Sequence, residues 1–257
     1  MITGHLTYGV EAPITFGNRL LDGLPAEVRR ALRPYLHGEP LRVGQTLLKA
    51  GVRAAKAYFP TSGIVSLKTP TSDGIGIEGR MVGWEGMLPL CVVLGSVPGR
   101  NAEVQIAGTA FAINAAELQH QMRTHPVLER ALLAYVQTQF NAVCQIAVCN
   151  GLHVLEQLCA RWLLLAHDRV SRNEIRVTHE VLARLLGVRR PGITVAAQAL
   201  QDQGLIAYRR GTISIQNRRG LEAAACECYA AMAGDYVRQG QGAVAPDLRS
   251  PNAQGEA

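Results

Sequence analysis

The chain has 257 residues, of which 48% are apolar and 18% charged. That composition suits a folded protein with one large core or two modest ones, and it excludes an intrinsically disordered chain. The formal charge of +6 admits an acidic partner such as nucleic acid or an anionic membrane surface, and the position of the charge decides between them.

In chain order, residues 1–17 read as a loose arm without the basic start and apolar core of a secretory leader. Asp22 then caps a short helix that Pro25 opens, with Val28, Leu32 and Leu36 at helical spacing. From Leu41 to Ile113 short apolar runs alternate with turn signals, among them Pro60-Thr61-Ser62-Gly63, Ser72-Asp73-Gly74 and Pro98-Gly99. Each strand must end where the chain reverses, so this texture predicts a small antiparallel barrel or sandwich. Between Asn114 and Gly151 glycine is absent and helix formers dominate. Leu133, Val136, Phe140, Val143, Ala147, Asn150 and Val154 recur at spacings of three and four. Such a seam serves either two helices wrapped around each other or one helix packed on its own barrel, and periodicity does not choose. Asn150-Gly151 is the expected stop, and a second helix follows from His153 to Asp168. Residues 233–257, rich in Gly, Gln, Pro and Ala, read as a disordered tail. No stretch approaches the ~18 consecutive apolar residues of a membrane span.

The charge is concentrated. Arginines 176, 184, 189, 190, 209, 210, 218 and 219 face only Glu180 and Asp202 between Arg176 and Gly220, a local excess equal to that of the whole chain. This is the footprint of a polyanion partner. The same segment carries a motif. Thr178 is placed to cap a helix burying Val181, Leu182, Leu185 and Leu186, Gly187 supplies a tight turn, and a second helix runs from Arg189 or Arg190 to Gln203. Helix, glycine turn and helix at this spacing predict a helix-turn-helix whose second helix enters the major groove. Pro191 is tolerated because it falls in the first turn. Two short alternating runs around Arg209-Arg210-Gly211 predict a β-hairpin wing. On the second helix Arg190, Thr194, Gln198 and Gln201 share the polar face, where arginine suits guanine and glutamine suits adenine. The wing arginines suit phosphates.

The order of barrel, long helix and winged helix-turn-helix resembles the CRP/FNR family of bacterial transcription regulators over residues 18 to 230. The matching stretches are Val177-Thr178-His179-Glu180 through Leu186-Gly187-Val188-Arg189-Arg190 and, in the barrel, Tyr58-Phe59-Pro60-Thr61-Ser62-Gly63-Ile64-Val65-Ser66. The resemblance implies an α+β fold. It comprises an arm (1–17), a cyclic-nucleotide-binding-like sensor barrel of the β-roll or jelly-roll type (18–117), a long dimerisation helix (118–150), a winged helix-turn-helix domain (151–232) and the tail (233–257). It implies a cytoplasmic homodimer paired through Leu133, Val136, Phe140, Val143 and Ala147, bound to a near-palindromic duplex and contacting RNA polymerase. It places Thr178, Arg189 and Arg209 on phosphate, with Arg210 beside it on the wing, and Arg190 on a base. Thr194, Val195 and Gln198 lie along the reading face. Pro191 and Val195 stand where cyclic-AMP-responsive members carry a glutamate and a second arginine, so the target site should differ.

The effector signature is degenerate. Cyclic-nucleotide binders of this family use a Gly-Glu pair for the ribose and an Arg-Ser pair for the phosphate. Here Gly83 is followed by Trp84, with Glu85 one place late, and Arg100-Asn101 is the nearest phosphate clamp. A one-residue shift in a strand reverses the side chain. No cofactor is therefore assigned, and the alternative function is a cyclic-nucleotide signalling module whose winged domain serves protein contact or non-specific DNA binding. The first cysteine is Cys91, which argues against an N-terminal iron–sulfur cluster, and His120 and His125 are set aside as haem ligands. Cys144 and Cys149 read as packing residues. Cys226-Glu227-Cys228 is close enough to chelate a metal or form a thiol switch, but two ligands without a nearby histidine make a poor zinc site, and no metal is predicted. No nucleophile elbow, P-loop or His-Glu-x-x-His motif supports an enzyme.

Overall fold

The computed structural model describes residues 14–70, 76–170 and 172–240, with side chains described to residue 234. The arm before residue 14, the Ser72-Asp73-Gly74 turn and the tail beyond residue 240 lie outside them. The chain divides into two compact units, one running to Glu129 and including Arg169 and Val170, the other comprising Arg130–Asp168 and the residues from Arg172 on.

The first unit opens with α1 (Arg19–Asp22) and α2 (Ala26–Leu32), followed by a single 3-10 turn. Its strands are β1 (His37–Leu41), β2 (Thr46–Leu48), β3 (Lys56–Pro60), β4 (Ile64–Thr69), β5 (Ile77–Val82), β6 (Asn101–Ile106) and β7 (Gly108–Asn114). Helix α3 (Leu90–Leu94) lies between β5 and β6, and α4 (Ala115–Thr124) follows β7. The strands form two antiparallel sheets, ordered β1-β7-β3 and β2-β6-β4-β5. Alternation sets what faces inward: on β3 Ala57 and Phe59 are buried while Lys56 is exposed. Leu41, Leu48, Val65, Val82, Leu88, Ala102, Val104 and Ala110 form the core between the sheets. Asn18, fully buried, donates from Nδ2 to the carbonyls of Pro60 (2.7 Å) and Gly86 (2.8 Å) while its Oδ1 accepts from Leu21 N–H. One side chain thus joins α1 to two corners of the barrel with every polar atom satisfied.

The second unit contains most of α5 (Pro126–Leu152), then α6 (Leu155–His167), β8 (Glu174–Arg176), α7 (His179–Leu186), α8 (Arg190–Asp202), β9 (Ile206–Arg209), β10 (Thr212–Ile215), α9 (Arg218–Ala224) and α10 (Cys228–Gly240). Its small antiparallel sheet is ordered β8-β10-β9. Every residue of α6 from Leu158 to Ala166 is buried, as befits a helix apolar on nearly all sides. It is the pillar against which α8, α9 and α10 pack.

Three boundaries differ from the sequence reading. The expected helix over 118–150 is two helices, because Pro126 cannot extend the hydrogen-bonding of α4 and instead starts α5. Its far end does not stop at Asn150-Gly151 but runs to Leu152, since one glycine costs a helix only about 1 kcal/mol. Helix α10 continues past Ala233 to Gly240, where a tail was expected, anchored by buried Cys228 and Met232.

The barrel corner at Pro60–Gly63 depends on glycine. Gly63 has φ +80°, and a Cβ there would stand 2.5 Å from the Ile106 carbonyl oxygen. Gly63→Ala should therefore lower stability by about 2–4 kcal/mol, combining left-handed strain with a backbone clash. Gly44→Ala is the control, having φ +80° but open space around the new methyl. Urea titrations should show the smaller loss at Gly44, and equal losses would mean the clash contributes nothing.

Candidate nucleic-acid interface

Helix α7 is held at both ends as the sequence prescribes. The Thr178 hydroxyl accepts from Val181 N–H (3.2 Å), and Gly187 closes the helix in the left-handed conformation, φ 69°. The chain then reverses through Val188 into α8, which Arg189 precedes and Arg190 opens. Ile193, Ala196, Ala197 and Leu200 turn inward, while Arg189, Arg190, Thr194, Val195 and Gln198 are exposed. Val195, 71% exposed, is an apolar side chain presented to water in the middle of the polar face. A Cβ on Gly192 would stand 2.9 Å from Leu155 Cδ2, so this glycine lets α8 approach the start of α6 closely.

The wing is a two-residue hairpin. Arg209 pairs with Thr212, and Arg210 (φ 47°) and Gly211 (φ 78°) occupy the turn. Positive φ at both central residues is the turn that matches the twist of paired strands, and glycine meets the requirement at its second position. The tip lies over the start of α7, since a Cβ on Gly211 would meet Thr178 Cγ2 at 3.2 Å. His179 stacks on Tyr208 of β9 with ring centroids 4.1 Å apart, and its Nδ1 lies 3.2 Å from Thr194 Oγ1. Burial first, and the Arg190 charge second, hold the His179 pKa below the usual histidine value. The ring is therefore neutral at neutral pH and works as a strut rather than a phosphate ligand. Gln201 plays a similar part, its Oε1 accepting from Tyr208 N–H (2.9 Å). Neither tie was legible in the sequence, where Gln201 had been grouped with the base readers.

These contacts bring most of the expected DNA-binding residues to one surface. Thr178 and the Arg210-Gly211 turn are adjacent, and His179 joins Thr194 to Tyr208 of the wing strand. Thr194 spends its hydroxyl proton on the Arg190 carbonyl (3.2 Å), which removes it from easy base contact. Gln198 donates to exposed Asp202 (2.8 Å). Among the eight arginines of the segment Arg218 is committed internally, donating to Asp168 (2.7 Å), Glu222 (2.9 Å) and the Tyr229 hydroxyl (2.7 Å). The other seven are exposed.

The seam residues of α5 lie on a face that the described residues leave partly open. Leu133, Phe140 and Ala147 are exposed, and Val136 and Val143 are half-buried. The opposite stripe (Leu132, Tyr135, Ala142 and Cys149) is buried.

The effector candidates are engaged separately. Glu85, 2% exposed, accepts from Gly83 N–H (3.1 Å) and from Arg169 through Nε (2.9 Å) and Nη2 (2.7 Å). A Cβ on Gly83 would collide with the Arg169 side chain at 2.9 Å. Trp84 lies under the Arg19 guanidinium at 5.7 Å. Asn101 accepts from Ala50 N–H (2.9 Å), and Arg100 is exposed beside Gly79. The buried polar side chains of the β4–β5 hairpin are instead Ser66, Glu78 and Arg80, with the Ser66 hydroxyl bonded to Glu78, and the sequence reading did not single them out. A cavity of about 440 Å³ opens elsewhere in this unit, lined in part by Tyr35, His37, Glu39, Lys56 and Glu117.

Residues 157–224 match the model of the Crp-like helix-turn-helix domain. A search of curated protein sequences gave no match. Among solved structures, the chain is similar to a transcriptional regulator of the crp/fnr family from Eubacterium rectale (20% identity, TM-score 0.63, covering 80% of this chain and 96% of that one). It is also similar to FixK2 from Bradyrhizobium japonicum (18%, 0.60, covering 74% and 98%). A third is the c-di-GMP responsive global regulator CLP of Xanthomonas campestris (17%, 0.57, covering 74% and 99%). No enzyme family is indicated. At these identities the solved structures establish the fold, and the domain match establishes the DNA-binding module. The chain therefore carries a Crp-like helix-turn-helix domain within a fold shared with regulators of the CRP/FNR family.

Proposed function

We propose that the chain is a sequence-specific regulator that binds duplex DNA as a homodimer, each α8 reading half of a near-palindromic site. One observation carries the reading: α8 buries one stripe completely and offers Arg190, Val195 and Gln198 to solvent beside a wing that ends in Arg209 and Arg210. An arginine at the start of a groove-bound helix can bond both acceptors of guanine, glutamine can pair with adenine, and an apolar side chain can contact a thymine methyl. Thr178, Arg189, Arg209 and Arg210 supply phosphate contacts that fix the register without reading sequence. The regulator acts in the cytoplasm and engages RNA polymerase from its DNA site, under a signal felt by the N-terminal barrel.

The dimer rests on α5. An apolar stripe in which Phe140 is 64% and Leu133 45% exposed is the kind of surface that a second copy covers. By length and apolar content this helix would also pass as a membrane span. Gln137, Gln139, Asn141 and Gln145 cross its middle, and polar groups there favour a protein partner over lipid.

Selection of bound duplexes from a random pool, with and without added nucleotides, tests the reading and its dependence on a signal together. A recovered inverted repeat is the expected result, and an unenriched pool would refute it. On the selected site Arg190→Ala should cost about 1–3 kcal/mol and relax one position per half-site. Arg209→Ala should instead weaken all duplexes alike and reduce the salt slope by about 1. If Arg190→Ala loses equally on selected and random DNA, the base-reading role fails. Val143→Glu should shift the chain toward monomer by setting like charges across the seam, and an unchanged mass in sedimentation would rule that seam out.

A further inference from the structure

The C-terminal unit holds a cluster that DNA binding leaves unused. The helical hydrogen bonding of α5 carries one residue past its end, His153 N–H donating to the Cys149 carbonyl at 3.0 Å, so both side chains share one face. Cys226 lies between α9 and α10, and Cys228 opens α10. Folding brings the two pairs together. Cys149 Sγ is 3.3 Å from Cys226 Sγ, Cys228 Sγ is 3.7 Å from His153 Nδ1, and the four ligand atoms all lie within 4.8 Å of one another. The three cysteines are buried and His153 partly so. The histidine missing from the sequence neighbourhood of Cys226-Glu227-Cys228 is therefore present in space.

We propose that Cys149, His153, Cys226 and Cys228 form a closed Cys3His zinc site that fastens the end of α5 to the start of α10. A tetrahedral zinc with sulfur at about 2.3 Å and nitrogen at about 2.0 Å holds sulfurs about 3.8 Å apart and sulfur and nitrogen about 3.5 Å apart. The side chains stand close to that spacing already. Their surroundings are those of a ligand set rather than of packed thiols. The other ring nitrogen of His153, Nε2, lies 3.2 Å from a Glu227 carboxylate oxygen, the outer partner that fixes the tautomer of a metal-bound histidine. Gln145 Nε2 donates to Cys228 Sγ at 3.0 Å, which favours the thiolate. Arg161 is 3% exposed, and its Nε has no hydrogen-bond partner among the described residues. Binding would exchange three thiol protons, released to solvent, for one Zn²⁺. The resulting net charge of one negative unit is offset by Arg161. The site stands independently of the DNA-binding proposal.

The test uses the full chain, purified under reducing conditions without a histidine tag and loaded with zinc or, in parallel, cobalt. One zinc per chain should survive desalting over a chelating resin, and the cobalt form should show sulfur-to-cobalt charge-transfer bands and tetrahedral ligand-field absorption. Cys149→Ser, Cys226→Ser, Cys228→Ser and His153→Ala should each lose the metal, while Cys144→Ser and Cys91→Ser should keep it. Should the cysteine variants fail to fold, the wild-type cobalt spectrum decides, together with Glu227→Gln, expected to weaken affinity about tenfold. An octahedral cobalt spectrum without sulfur bands would overturn the site. So would a reduced chain that takes up no zinc, or a Cys149–Cys226 disulfide in a chain that still binds none after reduction.

Discussion

The reading surface depends on α8 being held entirely by its apolar side. Ile193 and Leu200 are fully buried, and burying such side chains contributes about 1.5–3 kcal/mol each. Ala196, Ala197 and Gly192 keep the contact with α6 and α7 close. Because that stripe packs α8 against the buried length of α6, Arg190 and Val195 are left on the solvent side. Their identities can be set by a partner.

The wing is a dependent element, and its attachment spends some of the polar residues of α8. Gln201 is used on the Tyr208 backbone, and Thr194 is drawn to the Arg190 carbonyl and His179. A neutral His179 wedged between α8 and β9 sets the spacing between the helix and the hairpin. What remains exposed for the proposed contact with base edges is narrow: Arg190, Val195 and Gln198. The Gln198–Asp202 bond is exposed, and i,i+4 pairs of this kind stabilise a helix by only about 0.2–0.5 kcal/mol. Exchange of that bond for a base edge is nearly free.

Local chemistry made the C-terminal half legible. A capping threonine, a left-handed glycine, an apolar stripe and an Arg-Gly turn each state their conformation within a few residues. The barrel strands were legible for the same reason, since turns recur where chains must reverse. Long-range pairings were not. Nothing near Gln201 or Arg218 announces that one holds the wing and the other a cluster of Asp168, Glu222 and Tyr229. The same limit hid the approach of Cys149 and His153 to Cys226 and Cys228, because the ligands come from two helix ends remote in sequence. The break at His125-Pro126 is a local signal set within a longer run of helix formers.

The barrel unit constrains any effector of the proposed regulator through Glu85. The resemblance drawn from the sequence implies a carboxylate that takes a ribose hydroxyl. Here the only nearby carboxylate of the motif is committed to the Arg169 guanidinium, with both side chains 3% exposed or less. Separating a buried pair leaves an uncompensated charge and costs about 3–5 kcal/mol. A ribose hydroxyl, offering a neutral hydrogen bond worth about 0.5–1.5 kcal/mol net, cannot displace a guanidinium from that position. A signal acting on this barrel therefore either leaves the Glu85–Arg169 pair intact and binds elsewhere in the unit, or brings a cation of its own to replace Arg169.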